Sequence, residues 1–466
     1  MNPPRGKGAC NPGFTYPQPV RIVHFLKSID LKGGGVTRAV LDLCTGMTER
    51  GHELVLLTGE DDDVDAAWKV PRGGDAWELA ARGTPACVHI PVRDLRRELK
   101  GHKGYKLGPD FPTHYVPRAG REAARAVIER ADVLHLHGPW ASPNLQLARI
   151  ARKVGVPYVL TAHGMLDDWC MNEHAARKKI YHRLFSRSLL ENAIAVHCTA
   201  QGEAEQSSKL FPRGRAAVVP LLVDMSPFRA LPGPELARAQ FPQLNLPGAK
   251  LLCISRLNKV KGLERVLRAA ATLKQNGQAL QLIFAGPADP ADYADVLRAR
   301  AKELGLGDNL HLLGMVGGVE KISLYQAADV YVQPSIHENF GLSLVESLAA
   351  GTPIITAKGV NIWPELHASG GAVIVENSLN PQPTDDEGEL RLAIASLLAD
   401  PARRAAMGAA GRRWALELLD QDRTVAAYEA MYRGEPVGTP PPSPMPARRT
   451  GVSLSSAKAK SQGERA

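Results

Sequence analysis

Residues 335–351 read S-I-H-E-N-F-G-L-S-L-V-E-S-L-A-A-G, and this stretch decides how the chain folds. The β-rich run D-V-Y-V-Q at 329–333 precedes it and ends in Pro334. After Gly341 the apolar residues recur at helical spacing up to Gly351, so we predict a strand, a tight turn and a helix in succession. A glycine that opens a helix lets the backbone approach a ligand, and the N–H groups of the first turn suit a phosphate or sugar oxygen.

Two glutamates, Glu338 and Glu346, flank this turn at a spacing of eight residues, with Phe340-Gly341 between them. Together with the following Gly351-Thr352-Pro353, the pattern resembles the signature of retaining GT-B glycosyltransferases of the family-four type, which include the glycogen synthases. The alternative is that neither glutamate binds a ligand. Glu338 would then be an acid near a helix N-terminus, and Glu346 a solvated helix residue. The resemblance covers about residues 18 to 434 and is more specific in the second half of the chain.

The resemblance implies an α/β protein with the GT-B fold. Two Rossmann-like domains, each a doubly wound parallel sheet, face a cleft, and the last helix crosses back to the first domain. A length of 466 residues also predicts two domains. We expect an acceptor-side domain over 18–222, with 421–434 returning to it, and a nucleotide-sugar-binding domain over 223–420.

The two ends of the chain, 1–17 and 435–466, are rich in Pro, Ser and Gly and are expected to be disordered. More than half of the net charge of +9 lies in these tails, so the folded part is only mildly basic. We therefore expect no nucleic acid as a partner.

The composition fits a globular protein, with 44% hydrophobic and 23% charged residues. No apolar run reaches the roughly 18 residues of a membrane span, and the first residues lack the apolar core of a signal peptide. The six cysteines form no C-x-x-C pair, which favours reduced thiols over a metal site. We expect a cytoplasmic protein, at the inner face of the membrane if its acceptor is a lipid.

The chain opens with a predicted strand at 20–26, the glycines Gly33-Gly34-Gly35 and a helix at 36–50. This βαβ opening lacks G-x-G-x-x-G, so a dinucleotide fingerprint is absent. The resemblance places Gly33 on the acceptor side and Gly34 and Gly35 near the donor. An ordinary tight turn is the alternative.

Two predicted strands of the first domain end in His-Gly, at His137 and His163. Because ligands gather at the carboxyl ends of parallel strands, we expect both histidines to face the cleft. The sequence T-A-H-G-M-L resembles the donor-contacting histidine segment of the family, so His163 is the candidate catalytic residue and His137 lies on the acceptor side. A histidine that only satisfies backbone groups at a strand end is the alternative.

Three further segments have a distinctive composition. Residues 59–86 resemble an acidic insertion with a D-x-D at Asp63 and Asp65, which we interpret as a solvated loop rather than a metal site. Residues 175–190 predict a basic amphipathic helix, which either binds an anionic membrane or phosphorylated acceptor or covers the sheet. Residues 220–247 contain six prolines and are predicted to form the linker.

Arg256 and Lys261 stand five residues apart in the first predicted β-to-α loop of the second domain. They resemble the diphosphate clamp of the family, in which a guanidinium fork and an ammonium reach one pyrophosphate. A generic basic loop is the alternative. The resemblance also places Gly286 at the donor and the turn with Met315 and Val316 along the nucleotide base.

The resemblance as a whole implies a retaining, metal-independent glycosyltransferase without cofactor. It would move a sugar from a UDP- or GDP-sugar to a hydroxyl of a glycan or lipid-linked acceptor. Peripheral membrane contact would follow if the basic helix at 175–190 binds an anionic membrane. The implied catalytic residues are His163, Glu338, Arg256 and Lys261. The remaining donor contacts implied are Gly34, Gly35, Gly286, Met315, Val316, Phe340, Gly341, Leu342 and Glu346. Alternatives are a sugar-nucleotide epimerase or phosphorylase of the same fold, or a non-catalytic sugar-nucleotide binder.

Overall fold

The computed structural model describes residues 19–30, 35–99, 113–376 and 386–437. The strands found there are β1 (Arg21–Phe25), β2 (Glu53–Thr58), β3 (Ala86–His89), β4 (Arg93–Asp94), β5 (His114–Tyr115), β6 (Val133–His137), β7 (Tyr158–Thr161), β8 (Ala195–Cys198), β9 (Ala216–Val218), β10 (Ala249–Ile254), β11 (Leu280–Ala285), β12 (Leu310–Leu312), β13 (Val330–Gln333), β14 (Ile354–Ala357) and β15 (Ala372–Val375).

The α-helices of the same residues cover both faces of the sheets. They are α1 (Gly35–Glu49), α2 (Ala76–Ala80), α3 (Leu95–Leu99), α4 (Arg118–Ile128), α5 (Ser142–Val154), α6 (Asp168–Asn172), α7 (Ala175–Tyr181), α8 (Arg187–Glu191), α9 (Gln201–Ser207), α10 (Ser226–Arg229), α11 (Glu235–Gln240), α12 (Leu263–Gln275), α13 (Tyr293–Glu303), α14 (Gly318–Gln326), α15 (Leu342–Ala349), α16 (Trp363–Ala368), α17 (Asp386–Ala399), α18 (Pro401–Leu418) and α19 (Gln421–Tyr432). A π-helical turn (His182–Ser186) joins α7 to α8.

Two parallel sheets form the two halves of the molecule. The described strands of the first sheet follow the order β3-β2-β1-β6-β7-β8-β9, and those of the second follow β12-β11-β10-β13-β14-β15. Strand order therefore reverses beside β1 and beside β10. Open α/β sheets bind ligands at the carboxyl ends of the strands at such a reversal, so the segments after β1, β6, β10 and β13 should form the site. The predicted doubly wound fold is confirmed.

The strands form where the sequence is apolar on both faces, as buried parallel strands require. β11, for example, reads L-Q-L-I-F-A and is buried along its whole length. Each sheet has a hydrophobic core on either side, and helices close these cores. The two cores of each sheet therefore bury both of its faces.

The last helix, α19, returns to the first sheet as the resemblance implies. Val425, Tyr428 and Met431 are buried in a core of the first sheet, and His52 Nε2 lies 2.9 Å from Glu429 Oε1. The guanidinium of Arg215 donates to the Glu435 carbonyl at 2.7 Å, so the chain stays on the first domain beyond the helix. Residues 1–18 and 438–466 lie outside the described residues, and with them most of the predicted tails.

The interpretation of 59–86 as a solvated insertion is wrong for its second half. This segment contains α2, whose Trp77 is 2% exposed and donates its indole N–H to the Val127 carbonyl at 3.2 Å. Parallel strands such as β2 and β3 need a crossover connection, and α2 is that crossover. Asp65 caps a short 3₁₀ turn through a 2.9 Å bond from the Ala67 N–H, so its carboxylate has a structural use.

The proline-rich segment 220–247 is packed rather than free. It contains α10 and α11, and Phe228, Ala237 and Leu244 are buried in a core of the second sheet. Residues 92–116, between β3 and α4, contribute the antiparallel pair β4–β5 and α3, while 100–112 lie outside the described residues. Among the described helices, none combines the length and the apolar character needed to cross a membrane.

Candidate active site

The turn between β13 and α15 has the predicted geometry. Gly341 adopts a left-handed conformation with φ of 66°, and its carbonyl accepts the Leu344 N–H at 2.8 Å. A Cβ at this position would lie 2.8 Å from Leu344 Cδ1 and would require that side chain to shift, while the positive φ itself favours glycine. The N–H groups of Phe340 and Gly341 have no acceptor among the described residues, which leaves them available to an anion at the start of α15.

Glu338 lies at the entrance to this turn, and its carboxylate contacts the ammonium of Lys261. The backbone of Glu338 is fixed by bonds from its N–H to the Gly359 carbonyl and from the Asn361 N–H to its carbonyl, at 3.0 and 2.9 Å. The two side chains are partly buried, with 23% and 12% exposed. The structure therefore joins two of the predicted catalytic residues in one ion pair.

The loop that carries Lys261 is pressed against the end of β13. Gly262 has φ of 70°, and a Cβ there would lie 2.3 Å from the Pro334 carbonyl oxygen. Only glycine allows this approach. Arg256, at the start of the same loop, pairs with Asp289 at 2.8 Å, and both side chains are about half exposed. Exposed pairs contribute roughly 0–1 kcal/mol, so Asp289 holds this guanidinium only weakly.

The loops after β10, β11 and β12 converge beside the predicted diphosphate clamp. The Gly286 N–H donates to the Gly314 carbonyl at 2.6 Å, and a Cβ on Gly286 would lie 1.9 Å from the Ser255 carbonyl oxygen. Met315 next to this junction is 77% exposed, whereas Val316 is buried in a core of the second sheet. These contacts put the predicted nucleotide-base turn next to the predicted diphosphate loop.

Glu346 lies inside α15 and is 8% exposed. Its Oε1 accepts from the Lys321 ammonium at 2.7 Å, and its Oε2 accepts from the Tyr325 hydroxyl at 2.9 Å. A carboxylate offers about four acceptor positions, so these two bonds leave room for ligand hydroxyls. Sequence reasoning missed Lys321 and Tyr325, although their spacing of four on α14 places them on one helix face.

On the first domain, His163 has the positive φ of 53° that is rare for a residue with a side chain. Its conformation is held on both sides, since the Gly164 N–H donates to the Glu203 carboxylate and His163 Nε2 lies 3.0 Å from His137 Nδ1. Desolvation by the surrounding protein lowers the pKa of His163 to about 3, with a smaller contribution from His197. The ring is therefore neutral at physiological pH.

Glu203 on α9 is a fully buried carboxylate that sequence reasoning missed. Besides Gly164, it accepts the Thr199 N–H at 2.7 Å and the Thr199 hydroxyl at 3.0 Å. Burial raises the pKa of Glu203, and its N–H and O–H donors act in the opposite direction. Its place in a short helix rich in Glu and Gln gave no sign that it would be buried under His163.

Asn339 connects the two domains immediately after Glu338. Its side-chain N–H donates to Thr199 Oγ1 at 3.0 Å. A Cβ on Gly164 would lie 2.8 Å from Asn339 Cβ, so the His163 segment packs directly on the signature segment. Two regions that are distant in the sequence are thereby brought into one site.

A second link between the domains centres on Asn361, which follows β14. Its side-chain N–H donates to Asp167 Oδ2 at 3.1 Å and to Asn339 Oδ1 at 3.2 Å, and Gln206 donates to its Oδ1 at 2.9 Å. His337 also contacts the Asp167 carboxylate. These residues lie in loops without a recognisable spacing, so the sequence carried no signal for them.

The expectation that His137 faces the cleft is wrong. His137 is 4% exposed, and its ring stacks on that of His135 with centroids 4.4 Å apart. Residues two apart on a strand share a face, so His137 follows His135 into the layer that α19 covers. Of the glycine loop, Gly33 and Gly34 lie outside the described residues, while Gly35 begins α1.

His24, His135 and His137 bring ring nitrogens within 4.8 Å of one another. Five of their six ring nitrogens already have hydrogen-bond partners: His135 contacts Tyr432 and Thr161, and His137 contacts His24 and His163. Hydrogen bonds among these rings and to their neighbours therefore organise this cluster in the structure.

Comparison with known proteins gives two family matches that follow the two domains. The "Glycosyl transferase 4-like domain" matches residues 34–221, and "Glycosyl transferases group 1" matches residues 238–414. The chain is 28% identical to D-inositol 3-phosphate glycosyltransferase of Segniliparus rotundus over 380 residues, which cover 78% of this chain and 82% of that protein.

Two further similarities involve proteins of other names. The chain is 24% identical to alpha-monoglucosyldiacylglycerol synthase of Streptococcus pneumoniae, over 72% of this chain and 70% of that protein. Its fold is similar to that of Anabaena HepE, solved in complex with UDP-glucose, with a TM-score of 0.64 at 16% identity, over 88% of this chain and 99% of that one.

Proposed function

The chain belongs to the group 1 glycosyltransferases of the GT-B fold, and we propose that it is a retaining, metal-independent enzyme that uses a UDP- or GDP-sugar. The proposed acceptor is a glycan or lipid-linked acceptor, which reacts through a hydroxyl. The name of one relative, alpha-monoglucosyldiacylglycerol synthase, supports a lipid acceptor, and the name of another, D-inositol 3-phosphate glycosyltransferase, supports an acceptor with hydroxyl groups.

One observation carries the proposal. The segment Glu338-Asn339 touches the clamp lysine, Lys261, on one side and the His163-Gly164 segment of the other domain on its other side. A diphosphate held at Lys261 would therefore place its sugar next to Glu338 and His163, at the junction of the domains. That is the position in which a donor meets an acceptor bound by the first domain.

In the proposed reaction, the bond from the anomeric carbon to the diphosphate breaks and a bond to the acceptor oxygen forms on the same face. The leaving phosphate oxygen takes the acceptor proton. Arg256 and Lys261 neutralise the charge that develops on the diphosphate, which stabilises the transition state electrostatically. An ammonium has three N–H donors, so Lys261 can hold a phosphate oxygen and Glu338 at once.

The other residues bind and orient the donor in this proposal. Glu338 accepts hydrogen bonds from the sugar and favours positive charge on its ring, and Glu346 accepts from the ribose hydroxyls. His163 contacts the sugar from the first domain. The N–H groups of Phe340, Gly341 and Leu342 at the start of α15 approach the sugar and phosphate.

The proposal predicts that EDTA leaves activity unchanged, because two basic side chains supply the positive charge that a metal supplies elsewhere. The purified chain is incubated in EDTA with UDP- and GDP-sugars and with glycan and lipid acceptors, and release of the nucleoside diphosphate is measured. Loss of release that Mg²⁺ or Mn²⁺ restores would contradict the metal-independent mechanism. Absence of release with every donor, with and without metal, would contradict the proposed enzyme itself.

The lipid-linked acceptor is supported by the surface of α7 and the π-helical turn after it. Ile180 and Leu184 are 58% and 62% exposed, one turn apart, and the exposed Lys179 and Arg183 flank them. A cavity of about 420 Å³ beside them is lined by Lys179, Arg183 and other basic side chains. Exposed apolar residues framed by cations suit the anionic surface of a membrane.

Reversing the charge of Lys179 and Arg183 together is expected to weaken binding to anionic lipid vesicles by at least about 30-fold, since each cation near such a surface contributes about 1 kcal/mol. Lys178 is left unchanged because its ammonium donates to the Cys170 carbonyl within the domain. Co-sedimentation with phosphatidylserine vesicles measures the effect. The control variant reverses the charge of Arg298 and Lys302 on α13. Equal loss of vesicle binding in both variants would indicate that α7 only covers the sheet.

A further inference from the structure

The histidine cluster of the first domain contains a hydrogen-bonded chain that ends at the candidate catalytic residue. His24 Nδ1 lies 3.0 Å from His137 Nε2, and His137 Nδ1 lies 3.0 Å from His163 Nε2. His24 is fully buried and His137 is 4% exposed, whereas His163 is partly exposed. The chain of three rings therefore runs from the interior of the domain to the site.

All three rings are neutral at physiological pH. Burial lowers the pKa of His24 to about 3, and the pKa of His137 is lowered by burial first and then by the neighbouring histidines. His163 has the same direction of shift. A neutral imidazole carries one N–H and one bare nitrogen, so the two hydrogen bonds must run in the same direction along the chain.

The His24 end of the three hydrogen-bonded rings decides between the two directions. His24 Nε2 is buried and has no hydrogen-bond partner within the described part of the chain. If the bonds ran from His163 towards His24, this nitrogen would carry a buried N–H without an acceptor. If they run from His24 towards His163, it carries only a bare lone pair. Buried N–H groups without an acceptor are the rarer defect in proteins.

We infer that His24 and His137 are positioning residues that fix His163 as the tautomer with its proton on Nδ1, so that His163 offers an N–H to the donor sugar. In this arrangement the His24 Nδ1–H donates to His137, and the His137 Nδ1–H donates to His163 Nε2. His163 Nδ1 has no partner among the described residues and is the ring nitrogen left for a ligand. The contact with a sugar rests on the proposed function, but the tautomer does not.

The consequence for recognition is specific. A sugar hydroxyl can donate or accept, whereas a carbonyl or phosphate oxygen can only accept. A fixed N–H at His163 therefore selects a hydrogen-bond acceptor on the ligand. The carboxylate of Glu338 can only accept, so it selects a hydrogen-bond donor. The two groups would then hold two sides of the sugar with complementary hydrogen bonds.

The tautomer is measurable without any turnover. The full chain is labelled with ¹⁵N-histidine, and multiple-bond ¹H–¹⁵N spectra at pH 7 identify which ring nitrogens carry protons. The His163 signals are assigned by their loss in His163→Asn. The inference predicts a protonated Nδ1 and a bare Nε2 for His163. A proton on Nε2, or protons on both nitrogens, would overturn it even if the enzyme is fully active.

Two variants of His137 test the positioning role. His137→Phe keeps a ring in the stack but removes both hydrogen bonds, and His137→Gln keeps one acceptor and one donor. His137→Phe is expected to give a mixture of His163 tautomers and to lower kcat roughly 2- to 10-fold, the effect of one net hydrogen bond. His137→Gln should restore the single tautomer. A single tautomer retained in His137→Phe would overturn the role of His137, and the wild-type spectrum decides the tautomer even if that variant does not fold.

Discussion

Replacing Glu338 by Gln is expected to lower kcat by about 100-fold and to change the donor KM by less than tenfold, the effect typical of losing one preorganised electrostatic group. The carboxylate would face a sugar ring whose positive charge develops only as the glycosidic bond breaks. A neutral amide keeps the shape and the hydrogen-bonding capacity but not the charge. The loss should therefore appear in the transition state and not in ground-state binding.

The ion pair with Lys261 makes a control necessary. Glu338→Gln leaves a partly buried ammonium without its counter-charge, which itself destabilises the protein. Glu376→Gln serves as a control for the amide substitution itself, since it makes the same change in a more exposed Lys–Glu pair of the second domain, formed with Lys358. Steady-state kinetics and melting curves are measured for both variants. A normal kcat in a folded Glu338→Gln protein would exclude Glu338 from the donor site.

Replacing Glu346 by Gln is expected to raise the donor KM roughly 10- to 100-fold with little change in kcat, since a hydrogen bond to a charged group contributes about 1.5–3 kcal/mol. The proposed partner, the ribose, does not react, so its hydrogen bonds are equal in the ground and transition states. The variant keeps one acceptor for the Tyr325 hydroxyl and loses the charge that pairs with Lys321.

Tyr325→Phe provides the matched control for Glu346. It removes the internal hydrogen bond to Oε2 while Glu346 keeps its charge and its pair with Lys321. We expect a lower melting temperature. The KM should stay within about threefold of the wild type, because losing one hydrogen bond that orients Glu346 costs about 0.5 kcal/mol of donor binding. If Tyr325→Phe raises KM as much as Glu346→Gln does, the effect of Glu346 is structural and not a contact with the donor.

The parts of the site that depend on local sequence could be predicted. Gly341, its turn and α15 follow from the apolar spacing and the glycine, because a strand, a turn and a helix need only neighbouring residues. The clamp loop of Arg256 and Lys261 also lies where expected, after β10. In both cases a short motif contains all the residues that decide its conformation.

The contacts between these motifs could not be predicted, because strand order sets them. β1 pairs with β6 across more than a hundred residues, and this pairing alone brings His24 beside His137. The contact of Lys261 with Glu338 depends in the same way on β10 lying next to β13. The error at 59–86 has another cause, since the acidic run hid the short apolar pattern around Trp77 that covers the sheet.

The most direct test of the proposed function is the anomeric configuration of the product. The wild-type chain is incubated in EDTA with an α-linked UDP- or GDP-sugar that it turns over, and ¹H NMR follows the anomeric proton of the sugar as it is transferred or released. The account predicts that the first product formed keeps the α configuration, because attack and departure occur on the same face. A first product in the β configuration would contradict the retaining mechanism and the roles assigned to Lys261 and Glu338.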